Sequence, residues 1–183
     1  ALFFFDTISV DALSQFFKAV FLVVSLLVVI ASLSKYTGKG ADEYFALLLF
    51  ATVGMMVVSS SVDIITLFVG FELASLSTYA LAAFDRSRKN LEAAMKYFIL
   101  GSVASAFMLF GFSLLYGMAG STHLANIAAA SLANFGPATL VALLFVIVGF
   151  GFKMALVPFH MWAPDTYEGA PPLVSALLAA GSK

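Results

Sequence analysis

Apolar residues in this chain run on without alternating. Between Val20 and Ile30 almost every position is apolar, which is the pattern of a buried or lipid-facing helix and not of a barrel strand with two different faces. Crossing a bilayer takes about 20 such residues. Clumps of polar and charged residues divide the chain into segments of about that length. They predict helices over residues 13–34, 43–61, 64–84 and 91–117. A fifth covers 137–166 and is interrupted near Pro158. A sixth starts at Pro171–Pro172 and is cut short at 183. The expected fold class is therefore an all-α polytopic membrane protein, a helical bundle fragment of about six transmembrane helices in a single transmembrane domain, 1–183. The opening ALFFFD has no basic region before it or cleavage site after it, so it is not a signal peptide. With the shortened last helix, it reads as part of an internal fragment of a longer protein.

Composition supports this reading. Hydrophobic residues make up 62% and charged residues 10% of 183 positions, against about 25% charged in ordinary soluble domains. The mean hydropathy is +1.06. A soluble shell cannot be built from so few charges. Disorder requires the opposite composition. The net charge of −1 leaves no basic surface for nucleic acid. The absence of cysteine removes disulfides, Fe–S clusters and thiolate metal sites, and two isolated histidines cannot make a metal cluster. The Phe-rich stripes read as lipid-facing or packing surface, so no cofactor-binding residues are assigned.

Basic residues in short loops set orientation. Lys35 and Lys39 follow the first predicted helix, and Arg86, Arg88 and Lys89 follow the third. The connection at 62–63 and the long loop 118–136 contain none. Alternation puts both basic loops on one face, assigned here to the cytoplasm. The protein is thus expected to be a multi-pass integral protein of a prokaryotic plasma membrane.

Most charges flank the predicted spans and need only solvation and topology to explain them. Glu72 does not fit that account. It lies about nine residues into the third helix, about 13 Å deep at 1.5 Å per residue. A carboxylate there costs on the order of several kcal/mol unless paired or hydrated, and an intramembrane acid is a functional candidate by default. The plain alternative is a structural ion pair or a protonated bridge. Lys153, in GFKMALVPFHMW, has an apolar helix before it and Pro158 after it. Proline cannot donate to the carbonyl of Met154 and crowds it, so the helix should break beside Lys153. Broken helices at membrane depth line protein or water-filled cavities. A lysine there can exchange a proton, or it can cap the freed carbonyls. Lys183 lies about eleven residues along the last helix, again near mid-membrane, unless it snorkels.

Lys96 has Glu92 four residues earlier, the favourable order for a helical pair. His160 follows the break and can shuttle protons or bond a loose carbonyl. Trp162 reads as an interfacial anchor, Asp165 and Glu168 as loop and cap residues, and His123 as a surface histidine. Ser75, Ser77, Thr78 and Tyr79 can hold water, pass protons or bond between helices. Gly101, Ala104 and Ser105 allow close helix approach.

These same residues carry a resemblance. FELASLSTYALAAFDRSRKNLEAAMKYFILGSVASAFMLFGFSLLYG, followed by GFKMALVPFHMWAPDTYEGAPPLVSALLAAGSK, resembles the antiporter-like membrane subunits of respiratory complex I. Within them the likeness is to the subunit N (mitochondrial subunit 2) type and its counterpart in archaeal F420H2 dehydrogenases. The resemblance implies an antiporter-like bundle with inverted repeats, of which this chain holds the third to eighth helices. It also implies a proton relay in which Glu72, Lys153, Lys183, Lys96 and His160 take the positions of the family's functional residues. The activity implied is that of a non-redox, proton-translocating subunit of an NADH:quinone or F420H2:quinone/phenazine oxidoreductase. Flavin, Fe–S clusters and quinone are expected on other subunits, and the partners are other membrane subunits and the lipid bilayer. A subunit of a multisubunit cation/proton antiporter or membrane-bound hydrogenase is the alternative.

Overall fold

A computed structural model describes residues 2–38 and 40–183. Lys39, one of the basic residues used for orientation, lies outside the described residues. Among the described residues a short hairpin, β1 (Leu2–Phe3) and β2 (Ile8–Ser9), precedes eight helices. These are α1 (Ala12–Ser32), α2 (Ala41–Val58), α3 (Ile64–Ala82), α4 (Arg88–Ala119), α5 (Leu124–Ala133), α6 (Pro137–Lys153), α7 (Trp162–Gly169) and α8 (Pro172–Ala180). The first four are long and apolar enough to cross a membrane. The protein is an integral, multi-pass membrane protein with an all-α bundle. Some parts differ from the sequence expectation. The stretch 118–136, read as a loop, contains α5. The last helix ends at Ala180, so Lys183 lies beyond it.

Local signals explain the helix starts. Asp63 accepts from the backbone N–H groups of Ile65 (2.9 Å) and Thr66 (3.0 Å) and so caps α3. Burial opposes its charge. The Thr122 hydroxyl, the Thr66 and Ile65 amides and His123 outweigh burial and hold its pKa below the ordinary 3.8. Ser87 and Asn90 form a capping box at the start of α4. Asn90 also donates to the Gly169 carbonyl at 2.5 Å, tying α4 to the end of α7.

Packing follows the small residues. A Cβ at Gly54 would stand 2.5 Å from the backbone nitrogen of Ala74 and 2.7 Å from the carbonyl oxygen of Gly70. Helices α2 and α3 therefore meet backbone to backbone, as small-residue contacts in membranes allow. The buried face of α4 runs through Asn90, Ala94, Tyr97, Gly101, Ala104 and Met108, at the three-to-four spacing of one helical stripe. By contrast α1 leaves most of its apolar side chains exposed; it touches α2 through a buried Ser25–Thr52 hydrogen bond of 2.6 Å.

The two ends of the bundle are chemically distinct. At one end Lys35 pairs with Asp85 at 2.7 Å, and Tyr36 donates to the same carboxylate at 2.8 Å. Burial disfavours the Lys35 ammonium, but its bonds to Asp85 and Tyr36 leave its pKa raised. At the other end Asp63 bridges His123, and Ile64 N–H donates to Thr122 at 2.9 Å. The basic connections thus lie together at one end, as the orientation argument requires.

Candidate functional site

The site is built on the end of α6. Its last turn closes with two backbone hydrogen bonds: Ala155 N–H to the Phe152 carbonyl (3.0 Å) and Leu156 N–H to the Gly151 carbonyl (2.8 Å). This is the paired pattern of a Schellman stop, whose outer residue adopts the left-handed conformation. Here that residue is Ala155, with φ 53°, where glycine would be unstrained. The Val157–Pro158 peptide is cis. The chain then turns and resumes as α7, where the Trp162 indole N–H donates to the Phe152 carbonyl at 2.7 Å. The Gly151 and Phe152 carbonyls at the break are therefore met by backbone amides and an indole. Trp162 is wholly buried and stacks on Tyr97 at 4.4 Å. The expectation of an interfacial tryptophan is corrected: the helix break draws it inward as a hydrogen-bond donor.

Lys153 points away from that cap into the bundle and is buried. Its Nζ donates to Ser75 Oγ at 3.2 Å and to Tyr97 Oη at 3.3 Å. It stands 5.8 Å from the Phe71 ring and 5.9 Å from the Tyr97 ring, within the range of cation–π attraction. One turn earlier on α3 than Ser75, Glu72 accepts a 2.5 Å hydrogen bond from Ser105 Oγ on α4. Glu72 acts on Lys153 electrostatically without a direct ion pair. Thr78 continues the hydroxyl cluster, 3.4 Å from Tyr97 Oη. Each hydroxyl is both donor and acceptor. An acid, a base and four hydroxyls from α3, α4 and α6 thus surround one buried region.

The other sequence candidates lie elsewhere. Lys96 is exposed and pairs with Glu92 at 3.0 Å and Asp165 at 2.7 Å. His160 is exposed on the segment between α6 and α7. Lys183 is exposed beyond α8, its ammonium 5.0 Å from the Tyr167 ring. Asp165 and Glu168, read as loop and cap residues, sit on α7 and pair with Lys96 and Lys89 of α4. Those ion pairs, with Asn90–Gly169, lay α7 along the first turns of α4. Any Cβ at Gly101 would overlap the Tyr79 hydroxyl, so that glycine serves a side chain as well as helix contact.

Sequence reasoning missed Tyr97 as a site residue. Its signal was present: Tyr97 falls on the same α4 stripe as Asn90, Ala94 and Gly101, and a tyrosine hydroxyl on a buried stripe requires a polar partner. Ser105 was legible as a small residue, though not as the partner of Glu72.

Comparison with known proteins shows the family and the fold. The chain is 58% identical over 184 aligned residues to F(420)H(2) dehydrogenase subunit N of Methanosarcina mazei, covering 98% of this chain and 37% of that protein. It is 45% identical to NADH-quinone oxidoreductase subunit N of Sphingopyxis alaskensis, covering 98% and 38%. It superposes on a chain of respiratory complex I from Thermus thermophilus, solved with bound aureothin, with a TM-score of 0.86 and 39% identity. That match covers 99% of this chain and 40% of the other. The chain therefore spans well under half the length of these relatives. Residues 61–183 match the family described as NADH:quinone oxidoreductase/Mrp antiporter, TM, and the chain belongs to that family of membrane proteins.

Proposed function

We propose that this chain is the part of a proton-translocating membrane subunit that holds one entry half-channel and the start of a relay, in a complex I-type oxidoreductase. The observation that carries this is Lys153: a buried ammonium at a helix break, held by neutral hydroxyls, with Glu72 nearby and no direct counter-ion. Were Lys153 a structural cap, it would bond the freed carbonyls. Its Nζ bonds the Ser75 and Tyr97 hydroxyls, and Trp162 and the Schellman amides bond the Phe152 and Gly151 carbonyls.

Protons enter through hydrated space beside the break and load Lys153. An ionised Glu72 holds the proton there, and a neutral Glu72 lets it go. Lys183 receives it and passes it toward the rest of the subunit. Lys96, paired with Glu92 and Asp165, holds α7 against α4 and steadies the break, and His160 stands at its exposed side. The subunit carries no redox group. Flavin, Fe–S clusters and quinone reside on other subunits, and their turnover shifts the charges that drive the relay. The family's own description also covers Mrp antiporters, so cation/proton antiport is the second reading.

The test uses the assembled complex in proteoliposomes. Glu72→Gln and Lys153→Ala should leave assembly intact while proton pumping per electron drops sharply. Wild-type pumping in both variants would sink the relay reading. A Na⁺ requirement for transport without electron transfer would favour antiport.

A further inference from the structure

Two buried hydroxyls, those of Thr166 and Tyr167, have no hydrogen-bond partner among the described residues. Buried polar atoms in native proteins are almost always satisfied, by protein or by internal water. The position of Tyr167 makes its case informative. Its ring lies 5.0 Å from the Lys183 ammonium. Toward Lys153, the other lysine of the proposed relay, its ring packs on Trp162, which stacks on Tyr97, whose hydroxyl accepts from Lys153 at 3.3 Å. The side chain is firmly placed. Its ring packs 6.0 Å from that of Trp162, and its carbonyl accepts from Ser175 Oγ at 3.1 Å across the α7–α8 elbow. A phenol hydroxyl with unused donor and acceptor capacity, on a ring beside Lys183 that packs on the tryptophan of the Lys153 helix break, suits proton transfer between the two bases.

We propose that the Tyr167 hydroxyl, together with an internal water bonded to it, carries the proton from Lys153 to Lys183. This rests on the relay reading above and deepens it. In one hop an N–H bond of the Lys153 ammonium breaks and the proton joins the water oxygen. The water gives one of its protons to Tyr167 Oη, whose own proton leaves for the neutral amine of Lys183. Lys153 ends neutral, Lys183 ends as an ammonium, and the phenol and the water are regenerated.

The test is Tyr167→Phe in the full complex, set beside Glu72→Gln. Phenylalanine keeps the ring against Trp162 and removes only the hydroxyl. Pumping should fall at least about tenfold, and the solvent deuterium isotope effect on turnover should rise. A purely packing role would not alter that isotope effect. A water-resolving structure of the wild-type complex should show a water bonded to Tyr167 Oη. If Tyr167→Phe pumps with an unchanged isotope effect while Glu72→Gln does not pump, the tyrosine step is overturned and the relay stands. If both pump normally, the relay itself fails. Should Tyr167→Phe not assemble, the wild-type structure decides: no water at Oη overturns the proposal.

Discussion

At the scale of single residues, the proposed function rests on a buried ammonium and the groups that hold it. Lys153 keeps its Nζ for Ser75 and Tyr97 because Trp162 bonds the Phe152 carbonyl. That division of labour is testable. Trp162→Phe retains the ring on Tyr97 but removes the indole donor, and should cost about 1 kcal/mol, the usual value of one such bond. Ala155→Gly relieves a left-handed non-glycine residue and should add about 1 kcal/mol. Thermal unfolding of the detergent-solubilised protein reads both. Equal midpoints for wild type and Trp162→Phe would mean that the indole bond contributes nothing. Glu72 and Lys153 were legible in sequence because charge is scarce within apolar runs. Tyr97 and Trp162 were not, because an aromatic residue with one polar atom suits an interface as well as a core, and only packing decides.

At the scale of elements, each helix carries two messages. Its apolar run sets length and insertion, while its small and hydroxyl residues set the approach to neighbours. In α3 the apolar run is obvious, yet Ser75 and Thr78 matter because they face α4 and α6. In α2, Gly54 lets the backbone of α3 come within contact. Gly54→Ala should therefore destabilise the bundle by about 1–3 kcal/mol, since backbone atoms of Ala74 and Gly70 must yield. Gly117→Ala, on α4 with open space around it, serves as control and should stabilise by about 0.5–1 kcal/mol through helix propensity. The same unfolding assay separates them. Destabilisation of similar size at both sites would indicate a general effect of lost glycine flexibility. Helix α5 escaped the sequence reading because its ten residues, rich in alanine, are too few to span and lie between polar turns.

At the scale of the whole molecule, one end holds the Lys35–Asp85 pair and the Lys89–Glu168 and Lys96–Asp165 links. The opposite end holds the Asp63–His123 bridge and the hairpin contact Ser9 N–H to Ser60 (2.7 Å). The exposed ion pairs contribute little stability; together with the backbone bridge at the other end they show which connections share a membrane face. With no native cysteine in this chain, single cysteines can report the sidedness. Arg86→Cys should react with an impermeant maleimide from the cytoplasm and Ser121→Cys only from the other side. Labelling of both from one side would overturn the topology.

The sequence alone determined that this chain is a membrane bundle and that its fifth helix breaks near Pro158; it singled out Glu72, Lys153 and Lys183 as charges without an interfacial explanation, and the structure puts Lys183 beyond the end of α8. Hydropathy, proline chemistry and charge counts are local properties, and they survive without knowledge of neighbours. Only the tertiary structure decided that Glu72 bonds Ser105 while Lys153 bonds Ser75 and Tyr97, that Lys96 turns outward to Asp165, that Trp162 bonds the Phe152 carbonyl at the break, and that Tyr167 stands beside Lys183. Those outcomes depend on which faces of α3, α4, α6 and α7 meet. That choice is set by close packing around glycines and small residues, a relation between distant segments that no single run of residues encodes.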